Sequence, residues 1–394
     1  MEESALTLGT IVQLTGGIIQ TGPFGSQLHA TDYVAEGTPL IMPVNLGDNV
    51  IQENGIARVG NEDVRRLGKH RLRAGDIVFS RRGDVGRRSI VREAESGWLC
   101  GTGCLAVRFG RNLRQVNPEF VAMCVGTTRP QQWLQDNAVG GTMPNLNTSI
   151  LARLPLWLPS RKEQDQAVSA ITTIADTALT LERLIAKKRA IKQGMMQELL
   201  TGRTRLPGFD QPWRKTTLGE ISRIKTGSRN NQDKREDGEY PFFVRSAQVE
   251  RIDTYSYDCE AILVPGEGGI GSIFHYVNGK FEVHQRVYTV SDFVAGVSGK
   301  FVFYFMHQFF GQHAMENSVK ATVDSLRLPT FKSFQLYLPN QHSEQETIVR
   351  ILDEVDAEID ALEQSLRITR GIKQGMMQEL LTGRTRLPVE EVAQ

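Results

Sequence analysis

The seventeen residues Ile191–Pro207, IKQGMMQELLTGRTRLP, return without a single change as Ile372–Pro388, 181 positions later. A shared fold alone does not demand this, because buried helix positions accept many swaps of similar volume. Identity across both copies implies that each copy meets the same surroundings. The chain is therefore a tandem of two half-molecules, each offering one copy of an identical docking surface, and this repetition settles the architecture before any other feature.

Upstream the repeat continues in fragments. Glu163-Gln164 returns as Glu344-Gln345, and Leu156-Trp157-Leu158-Pro159 as Leu336-Tyr337-Leu338-Pro339. Thr142 with Leu146 matches Thr322 with Leu326, and Thr7-Leu8-Gly9 resembles Thr217-Leu218-Gly219. Between these anchors, residues 10–140 and 220–320 show no obvious alignment. The pattern is variable globule, constant helix, variable globule, constant helix, with expected bounds of 1–160, 161–207, 208–340 and 341–394. It describes two readers of different things on a common frame.

From Glu344 the apolar residues Ile348, Leu352, Val355, Ile359, Leu362 and Leu366 alternate in steps of four and three, a heptad seam. The first copy keeps the frame with smaller side chains: Ala167, Ile171, Ile174, Ala178, Leu181 and Ile185. The seams are expected to run on through Ile191, Met195 and Leu199, and through Ile372, Met376 and Leu380. Gly202 and Gly383 then supply the stop, with Pro207 and Pro388 beyond. A helix from Glu163 to Thr201 is about 58 Å long at about 1.5 Å per residue. Such a rod can pack on its own globule. The narrow matching seams favour pairing of the two rods with each other, antiparallel if a pseudo-two-fold axis relates the halves. Lys192, Gln193, Gln197, Arg203 and Arg205, with Lys373, Gln374, Gln378, Arg384 and Arg386, then remain as a duplicated exposed patch, either simply solvated or a partner-binding surface.

The composition, 40% hydrophobic and 23% charged over 394 residues, is that of an ordinary two-domain protein. No apolar run approaches the roughly 18 residues that span a bilayer, and the start lacks a signal peptide's character. The four cysteines show no zinc-type spacing, so a reducing cytoplasm is expected. A net charge of +1 argues against nucleic acid only until the charges are placed. Ten Lys/Arg lie between Arg65 and Arg92 against Asp76 and Asp84, while Glu344–Glu363 holds eight carboxylates and one arginine. Basic globules and an acidic helix sum to zero, and it is the local patch that attracts phosphates.

In the first globule a buried strand, Gly75–Ser80, ends in Arg81-Arg82 and the turn Gly83-Asp84-Val85-Gly86-Arg87-Arg88. Arginines so placed can reach a phosphate or fork onto a guanine edge. The loop Gln20-Thr21-Gly22-Pro23-Phe24-Gly25-Ser26-Gln27 offers amides and hydroxyls, and Lys69 and Arg71 add charge. In the second globule Arg223, Lys225, Arg229, Lys234 and Arg235 face only Asp233, with Lys225, Arg229 and Lys234 the expected DNA contacts, and His284-Gln285-Arg286 occupies the late position matching Cys100–Cys104. Each of these residues also reads as an ordinary surface turn or a satisfied structural group. Gly266-Glu267-Gly268-Gly269-Ile270-Gly271 matches a dinucleotide fingerprint formally, but Ser272–Val277 alternates like a second strand where that motif needs a helix. A glycine-rich hairpin is expected. No Walker loop, HExxH or nucleophile elbow is present, and no Asp/Asn-Pro-Pro-aromatic tetrapeptide, so the chain reads as a binder rather than an enzyme.

The doubled Leu-x-Leu-Pro…Glu-Gln…KQGMMQELLTGRTRLP segments resemble the central and C-terminal conserved regions of the specificity subunits of type I restriction-modification systems. Thr21–Leu28 and Gly75–Gly86 are similar to their target recognition domains. The resemblance covers essentially the whole chain. It implies a mixed α+β (α/β) fold in which two target recognition domains are joined and spaced by an antiparallel coiled coil of two long helices. It further implies a non-catalytic subunit that reads a bipartite, asymmetric site in double-stranded DNA, and that docks two copies of a DNA adenine methyltransferase subunit and restriction/translocase subunits. S-adenosylmethionine, ATP and magnesium then belong to those partners. The residues that read bases differ between members and are not carried over. A coiled-coil protein scaffold without DNA specificity is the rival reading.

Overall fold

The computed structural model describes residues 6–140, 143–269, 271–317 and 325–388. Thr142, Thr322, Ile270 and the side chain of Ser26 lie outside the described residues. The chain divides into two compact units, residues 1–180 with 366–394, and residues 181–365.

The first unit contains strands β1 (Leu6–Thr7), β2 (Ile18–Thr21), β3 (Tyr33–Ile41), β4 (Ala57–Val59), β5 (Ile77–Ser80), β6 (Arg88–Ile90), β7 (Leu99–Cys100), β8 (Cys104–Arg108) and β9 (Pro155–Leu156). The order β2-β8-β5-β6 makes one sheet and β4-β3-β7 a second, with β3 and β7 parallel. The second unit contains β10 (Trp213–Thr217), β11 (Arg223–Thr226), β12 (Tyr240–Phe243), β13 (Glu250–Ile252), β14 (Tyr257–Pro265), β15 (His275–Val283), β16 (Val287–Ser291) and β17 (Gln335–Pro339). Here one sheet runs β11-β16-β14-β15-β12-β13. The long β15 is continuous where the first unit breaks into β6 and β7.

Despite unalignable sequences, the two sheets share a register. Ile77 opposes Val107 in β5–β8 as Ile262 opposes Val290 in β14–β16. Thr21 opposes Leu105 as Thr226 opposes Tyr288. Parallel pairs close each frame: Ile41 with Cys100, and Phe243 with Val283. The terminal repeats pair with one another too, Leu6 with Leu156 and Thr216 with Leu336. The strand that ends at the Thr of Thr-Leu-Gly and the strand that carries the first Leu of Leu-x-Leu-Pro thus form one ladder, brought together from opposite ends of each half, and the Leu-Gly that follows starts a short helix.

The helices Arg161–Leu199 and His342–Leu380 are uninterrupted, 39 residues each. Within the second unit Lys188 pairs with Glu358 and Lys192 with Asp356, so the helices run antiparallel there. In the first unit Arg386 meets Glu163, and Gln166 donates to Pro388 O. Pairing holds, and so does packing on the globules. Ala167, Ile171, Leu380 and Leu381 belong to the core of the first unit, and Met196, Leu199, Leu200, Ile348 and Leu352 to that of the second. The seam past Leu366 and Ile185 departs from expectation. Ile191 and Ile372 are exposed, and the heptad frame continues instead through Lys188 and Lys192, and through Thr369 and Lys373. Gly202 (φ +68°) and Gly383 (φ +73°) end the helices in the left-handed conformation. A Cβ at either would press on an indole, Trp213 or Trp157.

The Glu-Gln pair explains itself in this setting. Gln164 is fully buried; its Oε1 accepts from Asn117 N at 2.7 Å and its Nε2 donates to Gln115 O and Pro159 O at 2.8 Å. Gln345 repeats the pattern with Ser298 N, Gly296 O and Pro339 O. Each glutamine ties the helix start, the end of the repeat strand and the loop before the globule's own helix. Satisfying such buried backbone groups is obligatory.

Candidate nucleic-acid interface

In both units the strand β5 or β14 ends in a loop that crosses over two others, and the same backbone hydrogen bonds hold the crossing. Arg81 N donates to Gly103 O at 2.8 Å, and Gly266 N to Arg286 O at 2.9 Å. Leu146 N donates to Arg81 O and Leu326 N to Gly266 O, both at 2.8 Å. Gly22 N donates to Cys104 O, and Gly227 N to Val287 O. At Gly22 and Gly227 an added Cβ would stand 2.1 Å from the carbonyl oxygen of Gly101 or Val283, so only glycine permits the approach. The matching dipeptides Thr21-Gly22 and Thr226-Gly227 were a signal in the sequence for this shared frame. His284–Arg286 stands where Gly101–Gly103 stands, as expected from their late position.

Around this frame the first unit places Arg81 with its guanidinium 5.8 Å from the ring centroid of Phe24, which is itself exposed. Arg82 is exposed, and Arg87 is half-buried, 3.6 Å from the Asp84 carboxylate. Gln20 spends its amide on Lys69 O at 3.0 Å, and Gln27 accepts from Phe24 N at 3.2 Å. These amides therefore shape the loop, while Lys69 and Arg71 remain exposed and Thr21 half-buried. Arg88 corrects the reading of the glycine turn. It is 5% exposed and turned inward, its Nη1 2.8 Å from Asp48 and its Nε donating to Ala122 O at 3.1 Å. A charge buried and paired in this way is a structural group and is not available to DNA.

In the second unit Lys225 and Lys234 are exposed, the latter 3.5 Å from Glu250. Arg229 reaches the fully buried Glu282 at 3.4 Å, so it anchors the sheet as well as bordering the surface. His284 is buried, and its Nδ1 accepts from Arg286 N at 3.0 Å. Burial first, then Arg245 and Arg286, hold its pKa below the ordinary value. It is a loop brace, a satisfied structural histidine. Gln285 donates to Asn230 Oδ1, and Arg286 lies 3.4 Å from Glu267, which also takes Arg245 at 3.3 Å. Arg245 and Glu267 were not among the expected site residues: Glu267 stood out only as part of the glycine-rich run, and its ion pair reaches back 22 residues to Arg245. The glycine-rich segment after β14 leads into the antiparallel β15 with no helix among the described residues, so the fingerprint is a hairpin as expected.

On the repeated segments, Gln193, Gln197, Arg203, Gln374, Gln378 and Arg384 are exposed. Gln374, Gln378 and Arg384 line a groove of about 490 Å³ with Thr127, Thr128 and Arg129. Lys192 does not belong to an outward patch. It is a seam residue, 2.5 Å from Asp356 and 5.4 Å from the ring centroid of Tyr304. Lys373 occupies the equivalent seam position. All four cysteines are free, and no metal cluster is found among the described residues. Among them, no helix is long and apolar enough to cross a membrane.

One sheet frame occurring twice, each copy bearing its own arginine-containing loops and each packed against antiparallel long helices, defines a protein of duplicated mixed α+β architecture. The chain belongs to the type I restriction modification DNA specificity domain family, whose model matches residues 48–193 and 210–370. It is 27% identical over 175 residues to the type I restriction enzyme EcoDI specificity subunit of Escherichia coli. That match covers 43% of this chain and 38% of the relative's own length. The fold is similar to that of a type I restriction-modification S subunit from M. genitalium, with a TM-score of 0.66, 14% identity and 97% of each chain covered. It is also similar to a chain from a structural study of complex assembly and conformational transition of the type I R-M system, with a TM-score of 0.56 and 17% identity, covering 94% of this chain and 97% of that one.

Proposed function

We propose that this chain is the non-catalytic DNA specificity subunit of a cytoplasmic type I restriction-modification complex, in which each unit reads one half of a bipartite, asymmetric site. Exposed basic residues such as Lys69, Arg71, Lys225 and Lys234 set the globules on the phosphate backbone, and loop arginines read base edges. The exposed glutamines and arginines of the repeated segments dock two methyltransferase subunits, with restriction/translocase subunits joining the assembly. S-adenosylmethionine, ATP and magnesium act on those partners. The observation that carries the reading is the shared hydrogen-bond frame bearing unlike loop residues. A common frame with different side chains is what two different half-sites require.

The test is methylome sequencing of cells that express this chain with its cognate methyltransferase and no other adenine methylation. The expected result is one motif with two unlike halves around a fixed gap. Exchanging residues before 160 for those of a relative should then change one half and spare the other. A contiguous motif, or a change in both halves, overturns the reading.

A further inference from the structure

At the loop crossing the two units place opposite charges on one framework position. Arg82 forms a β-bridge with Asn145, and Glu267 forms the same bridge with Ser325. The flanking hydrogen bonds, Leu146 N to Arg81 O and Leu326 N to Gly266 O, fix the equivalence. Arg82 is exposed, and no ion pair to it is found among the described residues. Glu267 is in a different situation. Its side chain is 25% exposed, its Oε1 lies 3.4 Å from Arg286 Nη1 and its Oε2 lies 3.3 Å from Arg245 Nη1. The carboxylate borders a cavity of about 400 Å³ together with Thr226, Gln285, Arg286 and Arg327.

Such an arrangement is poorly explained as a stabilising device. Exposed ion pairs contribute little, and two long side chains lose rotamer freedom to make these. Each guanidinium has five N–H donors, and one contact with a carboxylate leaves most of them free. A half-buried carboxylate between two arginines does one thing well: it fixes their directions before a ligand arrives, which removes an ordering cost at binding. A fixed guanidinium fork matches the O6 and N7 acceptors of guanine in the major groove. Both carboxylate oxygens of Glu267 are already engaged, so direct acceptance from a cytosine amine is the less suited role.

We propose that residues 82 and 267 mark the base-reading position of the shared frame. Arg82 reads its half-site directly, whereas Glu267 is a positioning residue that holds Arg245 and Arg286 for a guanine edge in the other half-site. This inference rests on the proposed function, and the experiment separates the two. Wild-type chain, E267Q and R82Q are each co-expressed with the cognate methyltransferase, and the methylomes are compared. E267Q keeps the side chain's shape and removes its charge. It should relax a guanine position in one half of the motif, lowering methylation at wild-type sites about tenfold relative to sites with another base there. R82Q should relax the opposite half. A merely structural role for Glu267 would lower methylation everywhere without altering base preference.

An unchanged motif in E267Q, both variants relaxing the same half, or no G·C pair in the affected half-site would overturn the inference. If E267Q abolishes methylation, R286K becomes the decisive variant, because it retains the ion pair and loses the fork. It should relax the same guanine position, and an unchanged motif in R286K overturns the inference. Absence of any bipartite motif from the wild-type chain is a failure of the proposed function instead.

Discussion

Arg205 forks onto Glu344, with Nε 2.9 Å and Nη2 3.0 Å from its two carboxylate oxygens, and Glu344 is 1% exposed. Trp213 Nε1 stands 3.3 Å from both oxygens, and the Arg205 guanidinium lies 5.7 Å from the indole centroid. The counterpart in the first unit is looser: Arg386 is 3.8 Å from Glu163, whose side chain is 18% exposed. Removing one partner of a buried pair strands the other charge, which is costly. Arg205→Ala should therefore destabilise the chain by about 3 kcal/mol and Arg386→Ala by about 1 kcal/mol. Urea unfolding of the two variants checks this, and equal losses would show that the first unit's carboxylate is as dependent on its arginine.

The buried glutamines lead to the opposite expectation, equality. Gln164 and Gln345 each join one backbone N–H and two carbonyls at 2.7–3.0 Å. Replacing either with Met fills the space and leaves those three groups unpaired. A loss of about 3 kcal/mol is expected at both positions, and each should lower the melting temperature by several degrees. A variant that melts with the wild type would mean that water replaces the amide.

What could be read from the sequence was whatever the repeat duplicated or the heptad spaced. The rods, their glycine stops and the hairpin after β14 follow from local pattern. The shared register of the globules does not, because backbone hydrogen bonds carry it and the core positions accept different apolar residues. Phe79 and Val264, one position in the two frames, show how little is held in common. Arg88 looked like a reader because its turn is local, while its partners Asp48 and Ala122 lie 40 and 34 residues away. Glu267 was missed for the same reason in reverse.

Lys192 and Lys373 are identical in sequence setting and different in structure. Lys192 meets Asp356, and Tyr304 donates to Asp353 at 2.6 Å and Asp356 at 2.8 Å in the same cluster. The repeat places Thr172 and Ala175 where these aspartates would be in the first unit, and no ion pair to Lys373 is found among the described residues. Lys192→Met should cost about 2 kcal/mol, whereas Lys373→Met should be neutral or stabilising. Charge reversal at Lys192 would consequently confound any docking assay, and Gln193 or Gln374 is the better site for that purpose. Thermal unfolding of the two methionine variants checks the asymmetry.

His70 and Asp76 set opposing pH trends in the first unit. Burial, then Lys69 and Arg108, push His70 down to about 4 from its ordinary 6.5. Burial pushes Asp76 up to about 6, although Arg73 N donates to it at 2.9 Å and Arg108 lies 3.6 Å away. A histidine with a depressed folded-state pKa contributes stability that is present above 6.5 and lost as pH falls through about 4. An aspartate with a raised value contributes stability that is present below about 4 and lost as pH rises through about 6. Each change is worth about 3 kcal/mol, so the two nearly cancel between pH 4 and 6.5 in the wild-type chain. His70→Leu should gain on the wild type as pH falls from 7.5 to 4.5, while Asp76→Asn should gain as pH rises over the same interval, above a constant offset for the lost Arg108 contact. Urea midpoints at the two pH values decide it. Variant and wild-type curves that stay parallel would show that neither group is held away from its ordinary titration.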